Sequence, residues 1–170
     1  GLDNLSGGVG NDVIDGGDEN DVLDGGAGAD QFEGGLGTAD IATYASATKA
    51  FKLNLANSAL STGDAFGDTF SGIEIINGSH LNDTITGGAL ADTLRGDLGN
   101  DTISGGANDD NLSGDDGNDT LRGDAGIDTL FGNDGNDSLY GGTEDDTLDG
   151  GLGNDRLSGD DGIDTLNGAE

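Results

Sequence analysis

Four residue types are missing from this 170-residue chain: cysteine, proline, methionine and tryptophan. Without cysteine there is no disulfide and no thiolate metal centre. Positive charge is almost as scarce, with five Lys or Arg against 35 Asp or Glu and a formal net charge of −30. That balance excludes nucleic acid as a partner, because phosphates would be repelled. His80 is the only histidine and there is no H-E-x-x-H, so a catalytic zinc site cannot be assembled. No nucleophile–base pair is evident either. Apolar residues make up 31% of the chain, and no stretch approaches the run of about 20 that a membrane-spanning helix needs. So acidic and so weakly apolar a chain is disordered in plain water, and ordering it requires free energy from a bound ligand.

What the chain has instead is a period. From Gly78 to Asn167 ten nine-residue units follow one another without a gap, from GSHLNDTIT and GGALADTLR to GGLGNDRLS and GDDGIDTLN. Each opens with Gly, carries Asp at its sixth place and Ile or Leu at its eighth, while the third place is almost free. One apolar residue in nine is too sparse for a helix face. Each unit therefore reads as a turn of about six residues and a three-residue strand with one inward side chain. At the second place Gly alternates with Asp97, Asp115, Asp124, Asn133 and Asp160, the types that best tolerate positive φ. One inward Leu cannot hold a strand alone, but stacked units bury a continuous column, which predicts an all-β solenoid.

Stacking in register also aligns one sixth-place carboxylate per unit a few ångströms apart, which like charges oppose unless a cation lies between them. Hard oxygen donors without Cys point to calcium rather than zinc or copper, and a carbonyl-rich cage suits calcium better than magnesium. A solvated acidic face would not hold Asp at one place while freeing its neighbours.

The pattern G-G-x-G-x-D-x-U-x is a known calcium-binding repeat, and the chain resembles the RTX (repeats-in-toxin, haemolysin-type) family over nearly all its length. The resemblance implies a parallel β-roll with two units per coil and calcium between each turn and the next on the same side, eighteen residues on. The earlier turn would offer the carbonyls of its second and fourth residues and its Asp. The later one would offer the carbonyls of its first and third residues and its Asp, so that each Asp serves two ions.

Carried onto residues 78–167, this implies eight sites. Ser79, Leu81 and Asp83 would pair with Gly96, Leu98 and Asp101, and Gly88, Leu90 and Asp92 with Gly105, Ala107 and Asp110. Asp97, Gly99 and Asp101 would pair with Gly114, Asp116 and Asp119. Gly106, Asn108 and Asp110 would face Gly123, Ala125 and Asp128. Next come Asp115, Gly117 and Asp119 with Gly132, Asp134 and Asp137, then Asp124, Gly126 and Asp128 with Gly141, Thr143 and Asp146. Asn133, Gly135 and Asp137 would meet Gly150, Leu152 and Asp155. Gly142, Glu144 and Asp146 would meet Gly159, Asp161 and Asp164. A turn that wants positive φ at its fourth place resists Leu, so the pairs using Leu81 and Leu90 are the weaker ones.

Residues 1–40 form a first array that starts mid-repeat, with GLDNLS fitting the last six places of a unit. By the same resemblance, Gly8, Gly10 and Asp12 would pair with Gly25, Ala27 and Asp30. Gly17, Glu19 and Asp21 would pair with Gly34, Leu36 and Asp40, although GGLGTAD is one residue too long. About ten calcium sites are thus expected in all.

Residues 41–77 break the period. They read as a short β insert covering exposed roll edges, with strands near Phe51–Leu55 and Gly72–Ile76 and a D-x-U echo at Asp68–Phe70. Asp64, Asp68 and Glu74 lie here at no fixed spacing. The stretch DIATYASATKAFKLNLAN followed by GDTFSGIEIINGSHLNDTITG resembles the C-terminal region of serralysin-type secreted metalloproteases. Gly168–Glu170 would begin a further repeat. The resemblance implies a calcium-triggered folding module of a protein exported from a Gram-negative bacterium through type I secretion machinery, folding outside the cell beside neighbouring domains of its parent. An accessory part of a secreted protease, lipase or epimerase is the enzyme-linked alternative. A surface or adhesive module is suggested by seventh-place threonines such as Thr84, Thr93 and Thr102, which β propensity and cross-strand bonding also explain.

Overall fold

The computed structural model describes residues 1–168, so the repeat expected to begin at 168–170 lies outside the described residues except for Gly168. Residues 1–40 supply β1 (Asn4–Val9), β2 (Val13–Asp15), β3 (Val22–Ala27) and β4 (Gln31–Glu33). The interruption supplies β5 (Ile41–Thr43), β6 (Lys52–Asn54), β7 (Thr69–Ser71) and β8 (Ile75–Asn77), with short 3-10 turns at Ser58–Leu60 and Gly63–Ala65. The long array supplies β9 (Thr84–Thr86), β10 (Thr93–Arg95), β11 (Thr102–Ala107), β12 (Asn111–Asp116) and β13 (Thr120–Ala125). It continues with β14 (Thr129–Asp134), β15 (Ser138–Thr143), β16 (Thr147–Leu152), β17 (Arg156–Asp161) and β18 (Thr165–Asn167).

Among the described residues every pairing between these strands is parallel, apart from an isolated antiparallel bridge from Lys52 to Thr62, and within the long array each strand meets the strand eighteen residues on. Alternate units fall on opposite faces, giving the all-β parallel roll. One face is a continuous nine-stranded sheet, β1-β3-β5-β8-β10-β12-β14-β16-β18. The other is divided into a six-stranded sheet, β17-β15-β13-β11-β9-β6, and a three-stranded sheet, β2-β4-β7.

Several strands are six residues long rather than the three expected. The ladder runs past the eighth-place residue through the first three places of the next unit, where Gly106 registers with Asp124 and Ala107 with Ala125. Glycine at the first place permits this, because a Cβ on Gly96 would collide with Asp101 Oδ2.

The core is the eighth-place column. Leu23, Ile85, Leu94, Ile103, Leu112, Leu121, Leu130, Leu139 and Leu148 are all fully buried. Burying each such side chain contributes about 1.5–3 kcal/mol, and no residue of a unit other than the eighth supplies a comparable apolar area. The solenoid is therefore held by two facing columns of Leu and Ile, one from each sheet, plus whatever its turns bind.

Residues 41–77 join the two arrays. β5 and β8 are the third and fourth members of the continuous sheet, and β6 and β7 lie along the two strand edges that flank the internal break. β7 pairs with β4 and β6 with β9. Tyr44 and Phe51 pack with ring centroids 4.4 Å apart, and Phe32 stacks on Phe70 at 5.1 Å. This aromatic cluster fills the interior where the repeat is suspended.

Candidate metal centre

The turns of the roll stack as two ladders of carboxylates. On one side the backbone N–H of Asp83 donates to Asp101 Oδ1 at 2.7 Å, Asp101 N–H to Asp119 Oδ1 at 2.7 Å and Asp119 N–H to Asp137 Oδ1 at 2.7 Å. The other side runs from Asp92 through Asp110 and Asp128 to Asp146 and Asp164. Residues 1–40 repeat the relation, from Asp12 to Asp30 and from Asp3 through Asp21 to Asp40. The extra residue of the Gly34–Asp40 turn is absorbed, since Asp21 N–H still reaches Asp40 Oδ1 at 2.7 Å.

The two oxygens of each carboxylate are thereby made different. Oδ1 accepts from the preceding coil, whereas Oδ2 of Asp12, Asp21, Asp30, Asp40, Asp101, Asp110, Asp119, Asp128, Asp137, Asp146 and Asp155 is buried without any hydrogen-bond partner. Buried acceptors are normally satisfied, and an unpaired carboxylate oxygen is among the most expensive groups to leave bare. Burial, reinforced by neighbouring carboxylates, pushes Asp101 and Asp110 up to about 7 and Asp119 up to about 6. Asp128, Asp137 and Asp146 are raised for the same reason.

Backbone conformation frames these oxygens. The second-place residues Asp97, Asp115, Asp124, Asn133 and Asp160 have φ between 65° and 74°, as their residue types led one to expect. At the fourth place Glu19, Asn108 and Glu144 also take positive φ, at 78°, 72° and 76°. Successive turns meet through backbone bonds: Gly99 N–H donates to the Asp116 carbonyl and Asp116 N–H to the Asp97 carbonyl, both at 2.9 Å. Gly10 and Ala27, Gly117 and Asp134, and Gly135 and Leu152 meet in the same way. Each carbonyl keeps a second lone pair. Among the described residues no three His, Cys, Asp or Glu side chains converge. Any cation held here would thus be held by two carboxylates and several carbonyls. Hard oxygens, most of them backbone, form the donor set that calcium accepts.

Two turns differ. In Gly78–Asp83 and Gly87–Asp92 neither the second nor the fourth residue takes a positive φ, because Leu81 and Leu90 resist the left-handed region. Their own turns then close on the acid: Ser79 donates its N–H and Oγ to Asp83 Oδ2, at 2.8 and 2.6 Å, and Gly88 N–H donates to Asp92 Oδ2 at 2.7 Å. A third Oδ2, that of Asp68, accepts from the Tyr44 hydroxyl at 2.7 Å.

Sequence reasoning missed a further ladder, made of asparagines. Asn100 N–H donates to the Asn82 amide oxygen, Asn118 N–H to Asn100, Asn136 N–H to Asn118 and Asn154 N–H to Asn136. Its signal was Asn at the fifth place, beside the more conspicuous Asp. His80, at a third place, sets its Nε2 3.3 Å from Asp97 Oδ2 at the surface.

A parallel β-roll whose turns aim bare acid oxygens at stacked carbonyls is a cation-binding repeat protein. The family model of the RTX calcium-binding nonapeptide repeat matches residues 1–38, 68–102, 77–112, 86–121, 113–148 and 131–166. The chain belongs to this family, and it is a calcium-binding repeat module. Among curated proteins, no match to it was found.

Proposed function

We propose that the chain is a calcium-triggered folding module of an exported bacterial protein, non-catalytic in itself, with each Asp bridging two ions through its two oxygens. The observation that carries this reading is the row of eleven buried, partnerless Oδ2 atoms. With five Lys or Arg against 35 Asp or Glu, the chain has too few basic side chains to neutralise them. Eight of the ten ligand sets read from the sequence keep a free Oδ2 on the earlier turn: those led by Asp12, Asp21, Asp101, Asp110, Asp119, Asp128, Asp137 and Asp146. The sets led by Asp83 and Asp92 do not, because protein donors already occupy that oxygen.

Sites of this kind suit the roughly millimolar calcium met outside cells, so the module stays unfolded during export and folds afterwards. Among the described residues no helix is long and apolar enough to cross a membrane. Circular dichroism tests the reading. The chain should be unstructured in chelator and gain β signal cooperatively with calcium, magnesium being a poor substitute. A spectrum indifferent to calcium would defeat it.

A further inference from the structure

We infer that the outer face of the six-stranded sheet carries a binding site for a neutral glycan, built on β13, β15 and β17 from Arg122, Tyr140, Asp124 and Asp160. The site goes beyond the calcium reading. It uses outward side chains, whereas the calcium ligand sets take backbone carbonyls and sixth-place carboxylates from these coils.

The ninth place of one unit and the second place of the next are two residues apart in the ladder, so they share the outward face. Across the three strands they form two rows. In the first, Arg122 registers with Tyr140 and Tyr140 with Ser158; in the second, Asp124 registers with Gly142 and Gly142 with Asp160. Gly142 has no side chain, so the second row is open in its middle. A notch of about 380 Å³ lies there, bounded by Arg122, Tyr140 and both acids.

Each polar group around the notch is held in place. The Arg122 guanidinium lies 4.9 Å from the centroid of the Tyr140 ring, and that of Arg156 lies 5.7 Å from it. Ser104 Oγ donates to Asp124 Oδ2, and Ser158 Oγ donates to Asp160 Oδ1 at 2.7 Å. Two of the chain's three arginines therefore rest on one ring, in a chain with 35 acids, and among the described residues neither forms an ion pair. Stacking fixes the plane of a guanidinium and leaves its N–H edge to donate elsewhere. The serine bonds use one oxygen of each acid and leave the other to accept.

Fixed donors beside fixed acceptors suit a ligand whose polar groups do both, and a hydroxyl does both. Adjacent ring hydroxyls of a pyranose accept from a guanidinium and donate to a carboxylate. Asp124 and Asp160 stand two strands apart, about 9–10 Å, which leaves a sugar ring room between them. The same two acids repel a carboxylate or sulfate, which selects a neutral glycan over an acidic one. Because the side chains are already immobilised, binding costs little of their entropy.

Affinity electrophoresis of the calcium-saturated chain tests the inference, in native gels containing dextran, laminarin, galactomannan or hyaluronan. At least one of the three neutral polysaccharides should retard the chain, and hyaluronan should not. No retardation by any neutral polysaccharide, or retardation by hyaluronan alone, would overturn the site. Tyr140→Ala and Arg122→Gln should each weaken binding by about tenfold or more while keeping the calcium-induced β signal, and Arg95→Gln on the opposite sheet should leave it unchanged. Undiminished binding in the first two, or equal loss in Arg95→Gln, would place the glycan elsewhere. Should Tyr140→Ala lose its β signal, Arg122→Gln alone decides.

Discussion

Asp101 and Asp119 are joined by a single bond across one coil: the N–H of the first donates to Oδ1 of the second at 2.7 Å, and Asp101 Oδ2 is left buried and bare. The bond fixes the orientation of Asp119, so its Oδ1 faces the earlier coil and its Oδ2 stays buried, free and close to Gly114 of its own turn. Asp119→Ala should accordingly reduce the calcium count by two, with both lost ions adjacent. Native mass spectrometry or a calorimetric titration reads this directly. A loss of one would show that each carboxylate serves a single ion.

Leu90→Gly should have the opposite effect. The substitution turns Gly87–Asp92 into GGAGAD, the sequence of Gly25–Asp30, where Gly26 and Gly28 take positive φ and Asp30 Oδ2 is bare. Freed from Leu, the turn no longer directs Gly88 N–H onto Asp92 Oδ2. The variant should bind one more calcium than the parent. Equal ion counts would show that something other than Leu90 closes this turn.

Acidity should substitute in part for calcium. Asp101, Asp110 and Asp119 have folded-state values of about 7, about 7 and about 6, above the ordinary 3.8. An acid whose folded value is raised favours the protonated form in the fold. The ion-free roll is therefore least disfavoured below about pH 4 and loses that advantage as pH rises toward 7. In chelator, β content should fall across that interval, while calcium affinity should rise over it because protons no longer compete. Circular dichroism and calcium titrations between pH 4 and 8 check both directions.

Leu121→Ala, in saturating calcium, should destabilise the roll by about 2–5 kcal/mol, since a fully buried side chain is removed from between Ile103 and Leu139 and leaves a cavity in the core. Urea denaturation at fixed calcium measures it. Tyr44→Phe should cost about 1–3 kcal/mol by leaving Asp68 Oδ2 without its hydroxyl donor. Burial raises Asp68 to about 6, against the opposing pull of the Asp30 N–H and the Tyr44 hydroxyl, so the loss should be smaller at pH 5 than at pH 7.5.

Much of this architecture was legible in the sequence because each fixed place in the unit has one physical task. Eighth-place Leu predicts the core column, and Asp97 or Asn133 at the second place predicts a left-handed residue. Leu81 and Leu90 could be read as faults in their turns, yet sequence could not show that Ser79 and Gly88 would then supply donors to the stranded acid. The six-residue strands were hidden because glycine carries no strand signal, although its missing Cβ is what lets adjacent coils close. The insert was least readable. β6 precedes β7 in the chain but sits beyond it across the break, and no local pattern encodes that exchange. Glu74 was visible only as an acid at no fixed spacing, since its partner, the Asp40 N–H, is set by the fold rather than by the period.

The suspension of the repeat around Phe51 has one more consequence. Phe51 stands where the ladder would carry an acid, its N–H donating to Asp83 Oδ1 at 2.9 Å and its ring packed on Tyr44. Here oily contact replaces ionic glue, so this seam is the least thirsty for salt of any layer. Contact that needs no ion should thus persist longest at this seam as calcium is withdrawn.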